Sequence, residues 1–338
     1  MGALFVGVDG GGTSTRCVVV TESGEIAGRG RAGGANAISV PDPAANLRAA
    51  LLGALEGLDP ARVAGGVFGL AGAARAAESA ERAWREAGLA GRPAVVADVL
   101  VAFTGATDQP DGAVLVAGTG AIGARVRDRR IVRRADGLGW LLGDEGSGVW
   151  LGRRAAAAAL NAIDGRGAPT VLVARVAEAV LGAGAAGDDG PALTQALVAA
   201  VYARVAESGP AWLGTLAPVV DAAAREGDEV ARGIVAEAAR RLCRTARVVT
   251  GEGPRERGAQ AEGGPDQMGA GPLVLAGSLL TEPTELAHLV RAELGRRAVL
   301  VRARDNAAGA AALAVRAALP GDPRAAEAHR VLIGQEVA

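Results

Sequence analysis

The chain has 338 residues, half of them hydrophobic and 22% charged, with basic and acidic side chains nearly cancelling at a net charge of −1. That length exceeds one ordinary core and predicts two domains with a cleft between them, a setting for small-molecule chemistry. Aromatic residues at 2% and the lack of a basic stripe exclude nucleic-acid binding; Arg or Glu interrupts each long apolar stretch, as in 171–186, so neither export nor a membrane span is expected and the protein is placed in the cytoplasm.

All 36 basic residues are arginine. Without lysine there is no P-loop, no protein-kinase site and no Schiff-base catalysis, since each needs an ammonium group. A nucleotide would have to be held by a metal ion, backbone N–H groups and hydroxyls. Cys17 and Cys243 lie far apart and are read as buried small hydrophobes, while His288 and His329 are read as satisfied or solvated.

In chain order, residues 3–8 predict a strand, Asp9-Gly10-Gly11-Gly12-Thr13-Ser14-Thr15 a turn, and 16–20 a returning β-branched strand. The glycines therefore turn a hairpin rather than lead from strand to helix as in a Rossmann fingerprint. A second turn at Ser23-Gly24 leads to a third strand, 26–31, completing an antiparallel meander. A helix at 44–55, a strand at 65–70, a helix at 74–87 and a strand at 94–97 follow, in the alternation of an α/β layered domain. The opening then recurs: strand 113–117, turn Gly118-Thr119-Gly120, returning strand 123–127. Two such units suggest a duplicated fold. Residues 147–250 read as helical, with breaks near Gly165, 182–190 and Gly227; 251–271 read as a flexible surface insertion; strand 273–276, helix 282–294, strand 298–301, helix 307–318 and a short terminal helix complete the chain.

The first turn carries the strongest chemical signal. Its glycines let amides approach an anion, Thr13, Ser14 and Thr15 add hydroxyl donors, and Asp9 at the strand end is placed to hold Mg2+ through water. An ordinary hairpin needs only one or two glycines. Gly118-Thr119-Gly120 gains meaning by repeating that turn, and Gly277-Ser278 reads either as a strand-to-helix turn or as a backbone platform for adenosine. Asp98, directly after an apolar strand, is either a helix N-cap or a base that accepts a proton from a sugar hydroxyl. Asp144-Glu145 poses the same choice.

With these residues in place the chain resembles the N-acetylglucosamine kinase group of the BadF/BadG/BcrA/BcrD-type ATPases, nearly end to end. The likeness runs through Asp9-Gly-Gly-Gly-Thr13, Asn36, Gly69-Leu-Ala-Gly72, Asp98, Gly118-Thr-Gly120, Gly139-Trp140-Leu-Leu-Gly-Asp144-Glu-Gly-Ser147, Gly277-Ser278 and Asn306-Ala-Ala-Gly309. The resemblance implies a duplicated actin-like (ribonuclease H-like) α/β fold whose lobes close on ATP and an amino sugar, with Mg2+, as a homodimer. The lobes would be 1–111 plus 319–338, and 112–318. It assigns ATP to Gly11, Gly12, Thr13, Ser14, Gly118, Thr119, Gly120, Gly277 and Ser278. It assigns the sugar to Asn36, Asp98, Ala121, Ile122, Gly137, Gly139 and Asp144, with Asp98 taking the 6-hydroxyl proton. Two positions depart from animal members: Ile122 stands where they have asparagine, and Leu138 where they have tryptophan. Both fall near the sugar, leaving N-acetylglucosamine, glucosamine and N-acetylmuramic acid open.

Two other readings share the fold. An ATP-driven activator of a dehydratase or reductase bridges an iron–sulfur cluster with paired cysteines, which Cys17 and Cys243 do not supply. A non-catalytic sugar sensor is opposed by Asp9, Thr13, Asp98 and Asp144 standing together. The neighbouring repressor–kinase group carries a cysteine-rich zinc loop and a Glu-x-Gly-His segment, both absent.

Overall fold

A computed structural model of the chain describes residues 2–36, 40–185, 190–251 and 271–334. The first half opens with the expected meander: β1 (Leu4–Gly10), β2 (Ser14–Thr21) and β3 (Ile26–Gly33) pair antiparallel. Helix α1 (Pro43–Leu55) starts with proline in its first turn, where no N–H is missed, and Asp42 caps it by accepting from the Ala45 N–H at 3.3 Å. It crosses to β4 (Val63–Leu70), which lies parallel to β1, and α2 (Ala73–Glu86) leads on to β5 (Ala94–Ala97) and the short helix α3 (Asp98–Thr104). The resulting sheet has the order β3-β2-β1-β4-β5.

The second half repeats this plan. Strands β6 (Gly112–Ala117), β7 (Ala121–Arg127) and β8 (Arg130–Asp136) form a second antiparallel meander. A helical block follows, α4 (Gly148–Ile163), α5 (Leu172–Leu181), α6 (Pro191–Ser208), α7 (Ala217–Arg225) and α8 (Glu229–Thr250). Strand β9 (Leu273–Ala276) then pairs parallel to β6; α9 (Ser278–Thr281), α10 (Glu285–Leu294), β10 (Leu300–Arg302), α11 (Asn306–Ala318) and α12 (Pro323–Gly334) complete the chain. The second sheet, β8-β7-β6-β9-β10, matches the first strand for strand. The duplicated two-lobe α/β fold expected from the repeated hairpins is the one observed. Most of the stretch read as an insertion, residues 252–270, lies outside the described residues.

Each sheet is covered on both faces. In the first, α1 and α2 cover one face, where Trp84 meets Phe68 edge to face at 6.1 Å, and alanines of α11 and α12 cover the other. In the second, helices α4 to α8 and α10 pack on one face, while Val99, Leu100, Ala102 and Phe103 of α3 pack on the other. The helix that ends each half thus covers the opposite half's sheet. The expected second unit ran to residue 318 and so included α11, which packs chiefly on β1, β4, α3 and α12. We propose that the units be drawn sheet by sheet, with α3 and α11 as their shared joint.

Glycine makes this joint possible. A Cβ on Gly309 would lie 2.3 Å from the Gly105 backbone nitrogen, and one on Gly7 of β1 would lie 2.1 Å from the Ala307 carbonyl oxygen. The Thr104 hydroxyl donates to the Gly309 carbonyl at 3.0 Å across the same crossing. His329 of α12 completes the cluster: its Nδ1 accepts from the Arg316 guanidinium at 3.0 Å and its Nε2 donates to the Thr104 carbonyl at 2.7 Å. Burial holds its pKa down to about 4, so the ring is neutral, the satisfied histidine expected from sequence.

Gly7→Ala places a methyl against immovable backbone and is expected to cost about 3 kcal/mol or more. Gly53→Ala, an exposed position inside α1 whose nearest atom would be 3.5 Å away, is expected to add roughly 0.5–1 kcal/mol through helix propensity. Urea unfolding of the two variants checks both signs; equal effects would place the α11 contact elsewhere.

Candidate functional site

The C-terminal ends of β1, β4 and β5 lie side by side, because Gly10 pairs with Leu70 and Leu70 with Ala97. Asp9 and Asp98 therefore stand on one edge of the first sheet. Asp9 is half-buried and accepts from the Asn306 side-chain amide at 3.3 Å. Its pKa is raised from 3.8 to about 7, first by burial and then by the Asp98 carboxylate, against the opposing pull of Arg16 and the Asn306 hydrogen bond. Arg16, opposite Asp9 on β2, has a buried Nε with no acceptor among the described residues.

Asp98 is the first residue of α3, and the cap position belongs to Ala97, which offers no side-chain bond. Its Oδ1 accepts from the Val99 N–H at 2.9 Å. Burial raises its pKa, opposed by that N–H and by the positive charge of Arg134 on β8 of the other sheet. The carboxylate thus satisfies one helix-start N–H from the first helical position rather than from the cap position.

The first turn is built as a rigid loop. The Gly11 N–H donates to the Ser14 carbonyl at 3.0 Å, and the Ala35 N–H to the Gly11 carbonyl at 2.9 Å, which sets Asn36 beside the turn. Gly12 and Thr13 are exposed, leaving their donors open. Thr15, counted from sequence among the hydroxyl donors, is fully buried and spends its hydroxyl on the Gly33 carbonyl at 2.7 Å. It holds the hairpin rather than facing the opening.

In the second half, the Gly118 N–H closes the turn on the Gly120 carbonyl at 2.9 Å. The carbonyls of Gly118 and Thr119 accept from the first N–H groups of α4, at 2.8 and 3.3 Å from Gly148 and Val149. Thr119 itself is exposed. Gly277 packs on this turn with φ of 83°, and a Cβ there would lie 2.3 Å from the Ala117 carbonyl oxygen, so both the backbone conformation and the close approach require glycine. Gly214 also joins the group, 3.9 Å from the Thr119 methyl carbon by its would-be Cβ. It gives no sequence signal beyond a glycine in a helical stretch.

Asp144 is fixed at the same place. Its backbone is left-handed at φ 53°, and Asp136 holds the segment by accepting from the N–H groups of Asp144 and Glu145 at 2.7 and 2.8 Å. The Asp144 carboxylate accepts in turn from the N–H groups of Ala121 and Gly139; burial nonetheless raises its pKa. It does not cap α4, because Ser147 does so through the Trp150 N–H at 3.2 Å. Ile122 lies under Gly137, 2.7 Å from where a Cβ would stand. The loop above is apolar and open to solvent at Leu138, Leu141 and Leu142.

The structure thus gathers Asp9, Gly11, Gly12, Thr13, Ser14, Asn36 and Asp98 at one sheet edge, and Gly118, Thr119, Gly120, Ala121, Ile122, Gly137, Gly139, Asp144, Gly277 and Ser278 at the corresponding edge of the other. Arg134, Asp136 and Gly214 are additions that only the tertiary structure supplies, as is the contact of Asn306, a residue of the resemblance motif, with Asp9. Among the described residues no group of three metal-ligating side chains exists, and no helix is long and apolar enough to cross a membrane. Cys17 and Cys243 are free and buried, and burial pushes both thiols up, Cys243 to about 11.

The sequence profile of the BadF/BadG/BcrA/BcrD ATPase family matches residues 6–313. A candidate N-acetylglucosamine kinase from Chromobacterium violaceum superposes with a TM-score of 0.70 at 27% identity, covering 93% of this chain and 99% of that one. A ROK family glucokinase from Streptomyces griseus, solved with glucose and AMPPNP, gives a TM-score of 0.55 at 21% identity, covering 92% and 99%, a likeness of fold. An N-acetylmuramic acid/N-acetylglucosamine kinase from Clostridium acetobutylicum is 36% identical over 88 residues, a stretch spanning 26% of this chain and 29% of that protein.

Folding buries the Asp9 carboxyl, so the native chain binds a proton that the unfolded chain has released between pH 3.8 and about 7. The charged carboxylate therefore costs stability above pH 7, and the cost fades as pH falls through that window. Asp9→Asn in the ligand-free protein is expected to be more stable than the parent at pH 8, by on the order of a few kcal/mol at most, and no more stable near pH 4. Thermal melts across that range check the convergence.

Proposed function

The chain belongs to the BadF/BadG/BcrA/BcrD ATPase family, and from that premise we propose that it is an ATP-dependent kinase that phosphorylates the 6-hydroxyl of N-acetylglucosamine or a related amino sugar. The observation that carries this reading is the pair of matched turns at the ends of β1 and β6, each with an exposed threonine, together with a half-buried carboxylate at Asp98 on the adjoining sheet edge.

On this reading the turns Gly11 to Ser14 and Gly118 to Gly120 receive the phosphates through the donors not spent within them, the amides of Gly11 and Gly118 serving to close the turns, and Gly277 and Ser278 lie against the adenosine. The sugar sits between Asn36 and Asp98 on one side and Ala121, Ile122, Gly137, Gly139 and Asp144 on the other. Phosphoryl transfer asks chiefly for positioning and charge stabilisation, and fixed amides supply both.

Asp98 accepts the proton of the attacking hydroxyl. Its raised pKa suits a base that must hold that proton once the oxygen has bonded to phosphorus. Asp144, anchored by two N–H groups, orients the sugar hydroxyls.

A magnesium ion fits Asp9. The Asp98 carboxylate repels the charge on Asp9, and with no third side-chain ligand among the described residues the ion would complete its shell with phosphate oxygens and water. Bound there, it would neutralise phosphate charge. A cytoplasmic homodimer completes the proposal, on the resemblance alone.

ADP release is measured with glucose, glucosamine, N-acetylglucosamine, N-acetylmuramic acid and mannosamine as acceptors. At least one amino sugar is expected to stimulate it strongly; no stimulation by any of the five removes the kinase reading. Asp98→Asn is expected to lower kcat by about 10²–10⁴ while nucleotide still binds, and near-normal turnover would free Asp98 of the role.

A further inference from the structure

The surface between α4 and α8 holds a second site. Trp150, Arg153 and Arg154 share one face of α4, and Glu237, Arg240 and Arg241 share one face of α8, at the three- and four-residue spacings that align side chains on a helix. They enclose a cavity of about 480 Å3 whose rim is the loop 141–145. A smaller cavity of about 220 Å3, with apolar lining from Ala157, Ala158 and Ile234, shares Arg154, Gly233 and Glu237 with it.

The charge in this cavity is unbalanced. Four guanidinium groups face two carboxylates, Glu145 and Glu237. Arg241 is paired with both, bonding Glu237 at 2.6 Å and also Glu145, and Arg240 is paired with Glu237. Arg153 and Arg154 pair with no carboxylate among the described residues. A solvated basic surface would let these side chains spread. Here Arg154 and Arg241 are both drawn over one indole, with guanidinium carbons 5.7 and 5.4 Å from the Trp150 ring centroid. Holding like charges together around a concave space costs electrostatic energy that a bound anion would relieve.

We propose that this cavity binds a phosphomonoester, with the phosphate among Arg153, Arg154 and Arg241 and a small body reaching the annex, whose lining is polar at Asn161 and apolar at Ile234. Planar guanidinium forks are the side chains best matched to phosphate oxygens. Glu145 lies next to Asp144, and Arg241 is its partner. An anion on Arg241 competes with Glu145 and so loosens the segment that Asp136 and Arg241 together hold. Occupancy thereby slows the enzyme. This last step rests on the kinase reading; the binding step does not.

Calorimetry with saturating AMPPNP, which occupies the nucleotide site, measures binding of N-acetylglucosamine 6-phosphate and separately of inorganic phosphate. The parent is expected to bind, and Arg153→Ala/Arg154→Ala, both at exposed positions, to bind about tenfold more weakly or worse with an unchanged melting temperature. A gain in affinity from phosphate to sugar phosphate identifies a phosphorylated sugar as the occupant, whereas equal affinities identify free phosphate. No binding by the parent, or equal binding by parent and variant, overturns the site. Sugar phosphate is also expected to inhibit the parent non-competitively with sugar and to inhibit the double variant less. A protein with no kinase activity would still answer the calorimetry.

Discussion

The contact on which the rest depends is the crossing of α3 and α11. Their backbones approach at Gly105 and Gly309 more closely than any side chain would allow, and Thr104 and His329 lock the crossing with hydrogen bonds. Because each helix starts at the end of the last strand of its half, the crossing brings the two starts together beside β1. Asp98, Asn306 and Asp9 meet for that reason. A change in the angle between the lobes would have to pass through this joint, so the distance between the carboxylates and the opposite sheet is coupled to it.

The duplication makes the asymmetry of the site informative. Strand β5 runs into α3 as β10 runs into α11, so Asp98 and the pair Asp305-Asn306 occupy corresponding places. In the second half the carboxylate is used structurally: Asp305 caps α11 through the Ala308 N–H at 3.0 Å and holds Arg29 at 2.9 Å. Its neighbour Asn306 carries the same shape without the charge and supports Asp9. In the first half the cap position falls to Ala97, and the Asp98 carboxylate accepts from the Val99 N–H at 2.9 Å within the helix's first turn.

Much of this was legible in the sequence because the turn glycines and β-branched runs are local signals. Strands β1, β2, β6, β7 and β9 stand within a few residues of where apolar runs placed them, and the repetition of strand, turn and strand identified the duplication. Strand β8, Arg130-Ile-Val-Arg-Arg-Ala-Asp136, was missed because a half-exposed edge strand carries charge where a core strand would be apolar. The short α3 was missed as an element because its seven residues are nearly all apolar and show no face. Thr15 looked like its two neighbours, and only the fold shows its hydroxyl turned to Gly33. Asp136 and Asn306 act on residues eight and 297 positions away, respectively, and the longer of these distances has no periodicity to reveal it.

The absence of lysine gives the electrostatics a particular form. A lysine on the phosphates would bring a mobile charge into the cleft; this chain instead sets carboxylates at the sheet edge and keeps its arginines behind or across from them. Arg16 lies behind Asp9 on the next strand, Arg134 faces Asp98 from the other sheet, and Arg29 is occupied by Asp305. The cations compensate too little to return Asp9 to its ordinary pKa, which leaves the ligand-free edge short of positive charge. On the proposed kinase reading, a divalent cation arriving with a nucleotide would supply that charge, its coordination completed by the phosphates. On the kinase reading, leaving the edge uncompensated ties metal binding to nucleotide binding, a dependence that a resident ammonium group would have weakened.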